Sequence, residues 1–153
     1  MKTAVVTDGK YRASLAAVRA LGSAGFRVVV TQTKGEAAAA PASFRSRYAA
    51  ETRWIDGSCK DDAYGQNLLA LLGEYDTPVL FCTGADTLNM VSRRREEFAA
   101  VARFLVAPPQ VLDDLNDKET VHQRAIELGL PVPEEFAAVP DRYPVVIKPH
   151  CGE

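Results

Sequence analysis

The residue types best suited to chemistry in this 153-residue chain are a pair of lysines and a few polar residues placed just after apolar runs. Lys118 opens a helical stretch, and Lys148 closes the apolar run Val145-Val146-Ile147. Ammonium groups at the ends of buried elements can converge on an anion. Asp8, Gly9 and Arg12 follow the first apolar run, and Asp86 follows a later one. Ligands of open α/β sheets bind outside the carboxyl ends of the strands, so these four residues are candidates to line a substrate pocket. Arg45 and Arg47 alternate with Phe44 and Tyr48. Such a group can grip a phosphate or carboxylate, although its commoner form packs the aromatics inward and leaves the arginines solvated. The two histidines, His122 and His150, have no metal-ligating partners at useful spacing, and no Ser-His-Asp or Cys-His arrangement is present. No catalytic residue and no metal ligand is therefore assigned.

Elements must hold the lysines in place. The spacing predicts a helix capped by Asn116, with Glu119 three residues on completing a capping box. Val121, Ala125 and Leu128 form one apolar stripe, and Lys118 lies on the same side. Gly129 suits the left-handed position after the last turn, and Pro131 and Pro133 prevent the helix from resuming. Pro144 then opens a strand whose Val-Val-Ile run suits burial on both faces.

The upstream chain reads as alternating strands and helices. Thr3 to Thr7 is a buried strand, Tyr11 to Ser23 a helix, and Arg27 to Thr31 a second strand, which makes a parallel βαβ unit. Further strands are expected at Thr52–Ile55, at Val79–Cys82 with Cys82 buried, and at Phe104–Val106. Helices are expected over Asp61–Glu74 and from Asp86 to Ala102, the latter with an exposed Arg93–Glu97 pair. Residues 36–43 are alanine-rich and read as a short helix or covering loop. A dinucleotide site is disfavoured. The first turn has one glycine, Gly9, where G-x-G-x-x-G is required, and the second strand ends in Thr31-Gln32-Thr33 with no acid for a ribose. A nicotinamide-dependent oxidoreductase is thus the weakest of the function classes considered. Pro108-Pro109 places a boundary near Ala107, dividing the chain into 1–107 and 108–153.

Composition narrows the classes further. The chain is 47% hydrophobic and 25% charged with a net charge of −2, which suits an ordinary globular chain with no bias toward nucleic acid or an anionic membrane. No apolar run approaches the roughly 20 residues that span a bilayer. The N-terminus lacks the apolar length of a signal peptide. Cys59, Cys82 and Cys151 show no pairing pattern, which suits a reducing cytoplasm.

Taken together and in order, Asp117-Lys118, the Ala125–Pro133 segment with its Gly-Leu-Pro-Val-Pro ending, and Pro-Val-Val-Ile-Lys-Pro (144–149) resemble the opening of an ATP-grasp domain. The flavour is that of the carbamoyl-phosphate synthase large subunit and other carboxylate-amine ligases. The resemblance implies an α/β fold: a Rossmann-like pre-ATP-grasp domain with a parallel sheet, followed by a truncated start of an ATP-grasp domain. It gives Lys118 and Lys148 the role of contacting ATP phosphates. It implies ATP and Mg²⁺ as cofactors, small-molecule carboxylate and amine (or thiol) substrates, and an acyl-phosphate intermediate, with metal ligands and adenine site beyond Glu153. The 153-residue chain alone is then expected to be inactive. The alternative is a non-catalytic Rossmann-like small-molecule-binding or regulatory module.

Overall fold

The computed structural model describes residues 1–35, 39–134, 136 and 144–147. It divides into two compact units, Met1–Ala107 and Pro108–Glu153. The first unit runs β1 (Thr3–Val6), α1 (Arg12–Ser23), β2 (Arg27–Thr33), a 3₁₀ turn (Ala42–Arg45), β3 (Ala49–Ile55), α2 (Asp62–Leu72), β4 (Val79–Phe81), α3 (Ala85–Arg93) and α4 (Arg95–Val101). The strands form a parallel sheet in the order β3-β2-β1-β4. This is the α/β, Rossmann-like arrangement expected from the alternation of apolar runs and amphipathic stretches.

Strand alternation assigns the core to two faces. Val5 and Val29 point to one side, where α2, α3 and α4 supply Tyr64, Leu68, Leu72, Val91 and Phe98. Val6, Val28 and Val30 point to the other, against Val18 of α1, with Leu21, Phe44 and Tyr48 packed alongside. The two central strands are therefore apolar on both faces, whereas edge strand β3 is half-exposed along most of its length. On that edge Glu51 pairs with Arg27 at 2.8 Å and also with Arg53, which in turn reaches Glu74 at 3.0 Å. The Arg53 hydrogen bond is the chief cause holding the Glu51 carboxyl below its ordinary range.

At the other edge the structure departs from the sequence reading. The strand expected at Phe104–Val106 is reduced to one parallel bridge, Val79 to Arg103. The Leu80 amide donates to the Arg103 carbonyl at 2.8 Å, and the Arg103 amide donates to the Pro78 carbonyl at 2.9 Å. Beyond that point side chains take the carbonyls a ladder would use: Arg95 donates to Val106, and Ser92 Oγ donates to Ala107 at 2.6 Å. Leu105 is left fully exposed. Cys82, expected to be buried, lies just after β4 and is half-buried, yet burial pushes its thiol up to about 12. The helix expected from Asp86 to Ala102 breaks at Arg94, whose backbone leaves the helical region. The break shifts the partner of Glu97: Arg94 holds it with two hydrogen bonds of 2.8 and 2.6 Å, in place of the Arg93 pairing expected on an unbroken helix.

The second unit holds α5 (Pro109–Asn116) and α6 (Lys118–Glu127). Helix α5 was hidden in the sequence behind its prolines. Pro109 occupies the first turn, where a missing N–H costs nothing. Because Asn116 is still the last residue of α5, the bend falls at Asp117, and Asp117 caps α6 instead of Asn116 by accepting from the Thr120 amide at 2.8 Å. Gly129 closes α6 at φ 68°, as its position requires. The Val121-Ala125-Leu128 stripe is not buried: Val121 is 41% and Leu128 74% exposed. Residues 144–147 form no strand, and Val146 and Ile147 are exposed. A strand buried on both faces needs neighbours on both sides, and the described residues of this unit include none.

Stability of the first unit should follow this division. Phe98→Ala, at a fully buried position, is expected to cost about 3–5 kcal/mol in urea unfolding. Leu105→Ala should cost less than about 0.5 kcal/mol. Equal costs would show that the helical layer containing Phe98 is not packed as described.

Candidate functional site

The strand order defines where a ligand crevice can open. From β1 the chain moves through β2 to β3 on one side, then returns to place β4 on the other side of β1. This reversal is a topological switch point, and the crevice lies beyond the carboxyl ends of β1 and β4. Thr7 and Asp8 follow β1, and Cys82, Thr83 and Gly84 lead from β4 into α3.

Asp8 fills that crevice with its own carboxylate. The residue is 4% exposed and has φ 56°. Aspartate is among the few side chains that visit this left-handed region readily. The bend is held because the Asp8 carbonyl accepts from the Tyr11 amide at 3.0 Å and from Ser14 Oγ at 2.6 Å. It turns the carboxylate toward the start of α3. Oδ2 accepts from the Gly84 amide at 3.0 Å and from the Thr7 hydroxyl. Oδ1 accepts from Thr87 Oγ1 at 2.7 Å, and the Cys59 thiol lies 3.9 Å away. Gly84 is the N-cap of α3, so a negative group sits where the helix dipole and free N–H groups favour it. The close approach requires glycine: a Cβ at position 84 would lie 2.7 Å from Asp8 Cγ.

The surrounding polar groups continue this web. Thr83 Oγ1 donates to the Thr7 carbonyl at 3.0 Å and lies 2.7 Å from Ser14 Oγ. Thr87 spends its proton on Asp8, so the Tyr64 hydroxyl, 3.4 Å from Thr87 Oγ1, is the donor in that contact. Burial, followed by the charge of Asp8, pushes the Tyr64 phenol well above its ordinary range. It stays neutral and keeps that proton.

In the first βα turn the backbone donors are also engaged. The Gly9 amide donates to the Thr31 carbonyl at 2.9 Å, and the Lys10 amide to Gln32 Oε1 at 2.9 Å. The Tyr11 amide is held by Asp8. Ser43 Oγ donates to the Gly9 carbonyl at 2.6 Å, and a Cβ on Gly9 would meet that hydroxyl at 2.8 Å. A dinucleotide pyrophosphate needs free amides at this turn. Here the chain's own groups occupy them, in line with the missing fingerprint.

The candidate residues fall in different places. Asp8 and Gly9 are buried at the end of β1, and Arg12 is exposed as the first residue of α1. Asp86 is exposed in the first turn of α3, two residues after the Gly84 amide that binds Asp8, and its carboxylate is 4.0 Å from Lys60 Nζ. Lys118 is half-buried as the first residue of α6 in the second unit. Lys148 lies outside the described residues, as do His150 and Cys151. The sequence reading missed Thr7, Ser14, Gln32, Cys59, Thr83 and Thr87. The available signal was a small polar residue directly after an apolar strand or on the inner side of a helix's first turns. Among the described residues no group of three or more His, Cys, Asp or Glu side chains could hold a metal ion. No described helix is long and apolar enough to cross a membrane.

No family model matches the chain, and no curated protein matches it. Among solved structures it is similar to the biotin carboxylase domain of a single-chain bacterial carboxylase, with a TM-score of 0.55 and 21% sequence identity. The match covers 91% of this chain and 32% of that one, so the chain spans about a third of the neighbour's length. The likeness shows the fold: a Rossmann-like α/β unit with a parallel sheet.

If the Asp8 carboxylate ties β1 to α3, its removal leaves buried donors unpaired. Asp8→Ala is expected to destabilise the chain by about 3 kcal/mol in denaturant unfolding. Asp86→Ala, which loses only a long exposed contact, should change stability by less than about 0.5 kcal/mol. Similar values for the two variants would contradict the tie.

Proposed function

We propose that this chain is the N-terminal part of an ATP-grasp ligase that activates a carboxylate as an acyl phosphate for attack by an amine or thiol. In this reading residues 1–107 are the pre-ATP-grasp domain, and residues 108–153 begin the ATP-grasp domain. The observation that carries it is the likeness of the parallel α/β unit to a biotin carboxylase domain, in a chain whose residues 117–149 independently resemble an ATP-grasp opening. The carbamoyl-phosphate synthase-like flavour rests on the sequence resemblance alone.

The chemistry assigns the protein an electrostatic task. Phosphoryl transfer from ATP to a carboxylate spreads negative charge over the moving group, and catalysis consists mainly of positioning and neutralising that charge. Lys118, held by the Asp117-capped first turn of α6, and Lys148 would supply cationic donors to the phosphates. Mg²⁺, bound with the nucleotide, would neutralise further phosphate charge. Arg12 and Asp86, exposed beside the carboxyl ends of β1 and β4, are the candidates to contact the substrate from the first unit. Asp8 and Gly9 would shape the pocket floor from within.

The test compares this chain with one extended by its natural downstream coding sequence. Supplied with Mg-ATP and a panel of small carboxylates, the extended chain should release ADP in a carboxylate-dependent way. Lys118→Ala and Lys148→Ala should each lower the rate by about tenfold or more. The 153-residue chain should show no turnover. Carboxylate-dependent ADP release by the 153-residue chain, or none by the extended one, would overturn the proposal.

A further inference from the structure

A cluster of arginines lies away from the strand ends, along the flank of α1. The chain segment from Ser43 to Tyr48 runs beside this helix. Ser43 packs over Gly9 just ahead of α1, and Tyr48 packs against Gly22 near its end. Between the helix and this segment opens a groove of about 640 Å³ lined by Arg19, Ser23, Arg45, Ser46, Arg47 and Tyr48. Small-molecule sites span about 300–1,000 Å³.

The charge in the groove is unbalanced. Some arginines of the same unit are matched to acids: Arg27 and Arg53 to Glu51, Arg53 also to Glu74, and Arg94 to Glu97. Among the described residues no carboxylate pairs with Arg19, Arg45 or Arg47. Acids are not scarce, since the chain carries 20 against 18 basic residues. Three guanidinium groups line one groove, each able to offer N–H donors to an anion that enters it.

The groove is also braced. A Cβ on Gly22 would lie 2.5 Å from Tyr48 Cβ, so only glycine lets the ring settle on α1. Arg47 lies over that ring with Cζ 4.8 Å from its centroid and donates to its hydroxyl at 2.8 Å. A stacked and tethered arginine loses little freedom on binding. Ser46 Oγ accepts from the Tyr48 amide at 3.3 Å, which leaves its own proton to donate.

We propose that this groove binds the phosphate group of a phosphorylated small molecule. Planar forks of N–H donors matched by several oxygens on one compact group favour phosphate over a single carboxylate. The assignment is independent of the ligase proposal, because it uses no residue of that site.

Inorganic pyrophosphate titrated calorimetrically into the 153-residue chain is the test. Saturable binding at one site is expected, weakening as salt is raised. The Arg45→Gln/Arg47→Gln double variant, altered only at exposed positions, should lose about tenfold or more in affinity. Gly22→Val should also weaken binding, because it displaces Tyr48 while keeping every arginine. Lys34→Ala, an exposed lysine outside both sites, should leave the affinity unchanged. Absence of saturable binding, equal affinity in the double arginine variant, loss of binding in Lys34→Ala, or tighter binding of citrate than of pyrophosphate would each overturn the proposal.

Discussion

A buried carboxylate at the start of a helix organises the first unit. Asp8 leaves β1 in a left-handed bend and accepts from the Gly84 amide of α3, from Thr87 within that helix and from Thr7. Burying a carboxylate is costly unless donors surround it, and here they come from both sides of the switch point. The interaction fixes how β4 and α3 follow β1, and so where the crevice lies. It also means that the α3 terminus, an anion site by its geometry, already holds an anion belonging to the chain. A ligand at this edge would meet Arg12 and Asp86 at the surface before it met a free helix end.

The anionic and cationic groups of the molecule are thus distributed unequally. At the strand ends donors are matched by Asp8 and Gln32, and little backbone hydrogen-bonding capacity is left over in the first βα turn. Along the flank of α1 the reverse holds, with arginines gathered and, among the described residues, no carboxylate paired with them. Phosphate chemistry, if it takes place on the first unit, is better served by that flank than by the turn a dinucleotide enzyme would use. The proposed ATP contacts belong to the second unit, where Lys118 begins α6.

The sheet was legible because β1 and β2 carry short β-branched apolar runs, Ala4-Val5-Val6 and Val28-Val29-Val30, bounded by turn residues, which suit the middle of a parallel sheet. Edges and breaks were not. The run Phe104-Leu105-Val106 has strand composition, but Arg95 and Ser92 capture its neighbouring carbonyls, a tertiary event no local pattern announces. Helix α5 was masked by Pro108-Pro109, which read equally well as an exit or as a first turn. Asn116 and Asp117 are both capable caps, and only the length of α5 decided between them. At the crevice Asp8 stood out as a charged residue in a turn, whereas Thr83 and Thr87 became visible only once the sheet order brought β4 beside β1. Arg45 and Arg47 were conspicuous in the sequence; Arg19 and Gly22, which complete their groove, were not, because α1 approaches them only in three dimensions.

The tie between Asp8 and the start of α3 can be observed directly at one amide. Residue-resolved hydrogen exchange at Gly84 should show strong protection in the native chain. Asp8→Ala should abolish that protection, while amides in the middle of β2 remain protected. A Gly84 amide that exchanges at the rate of an open loop in the native chain, or that is equally protected without the Asp8 carboxylate, would contradict the account.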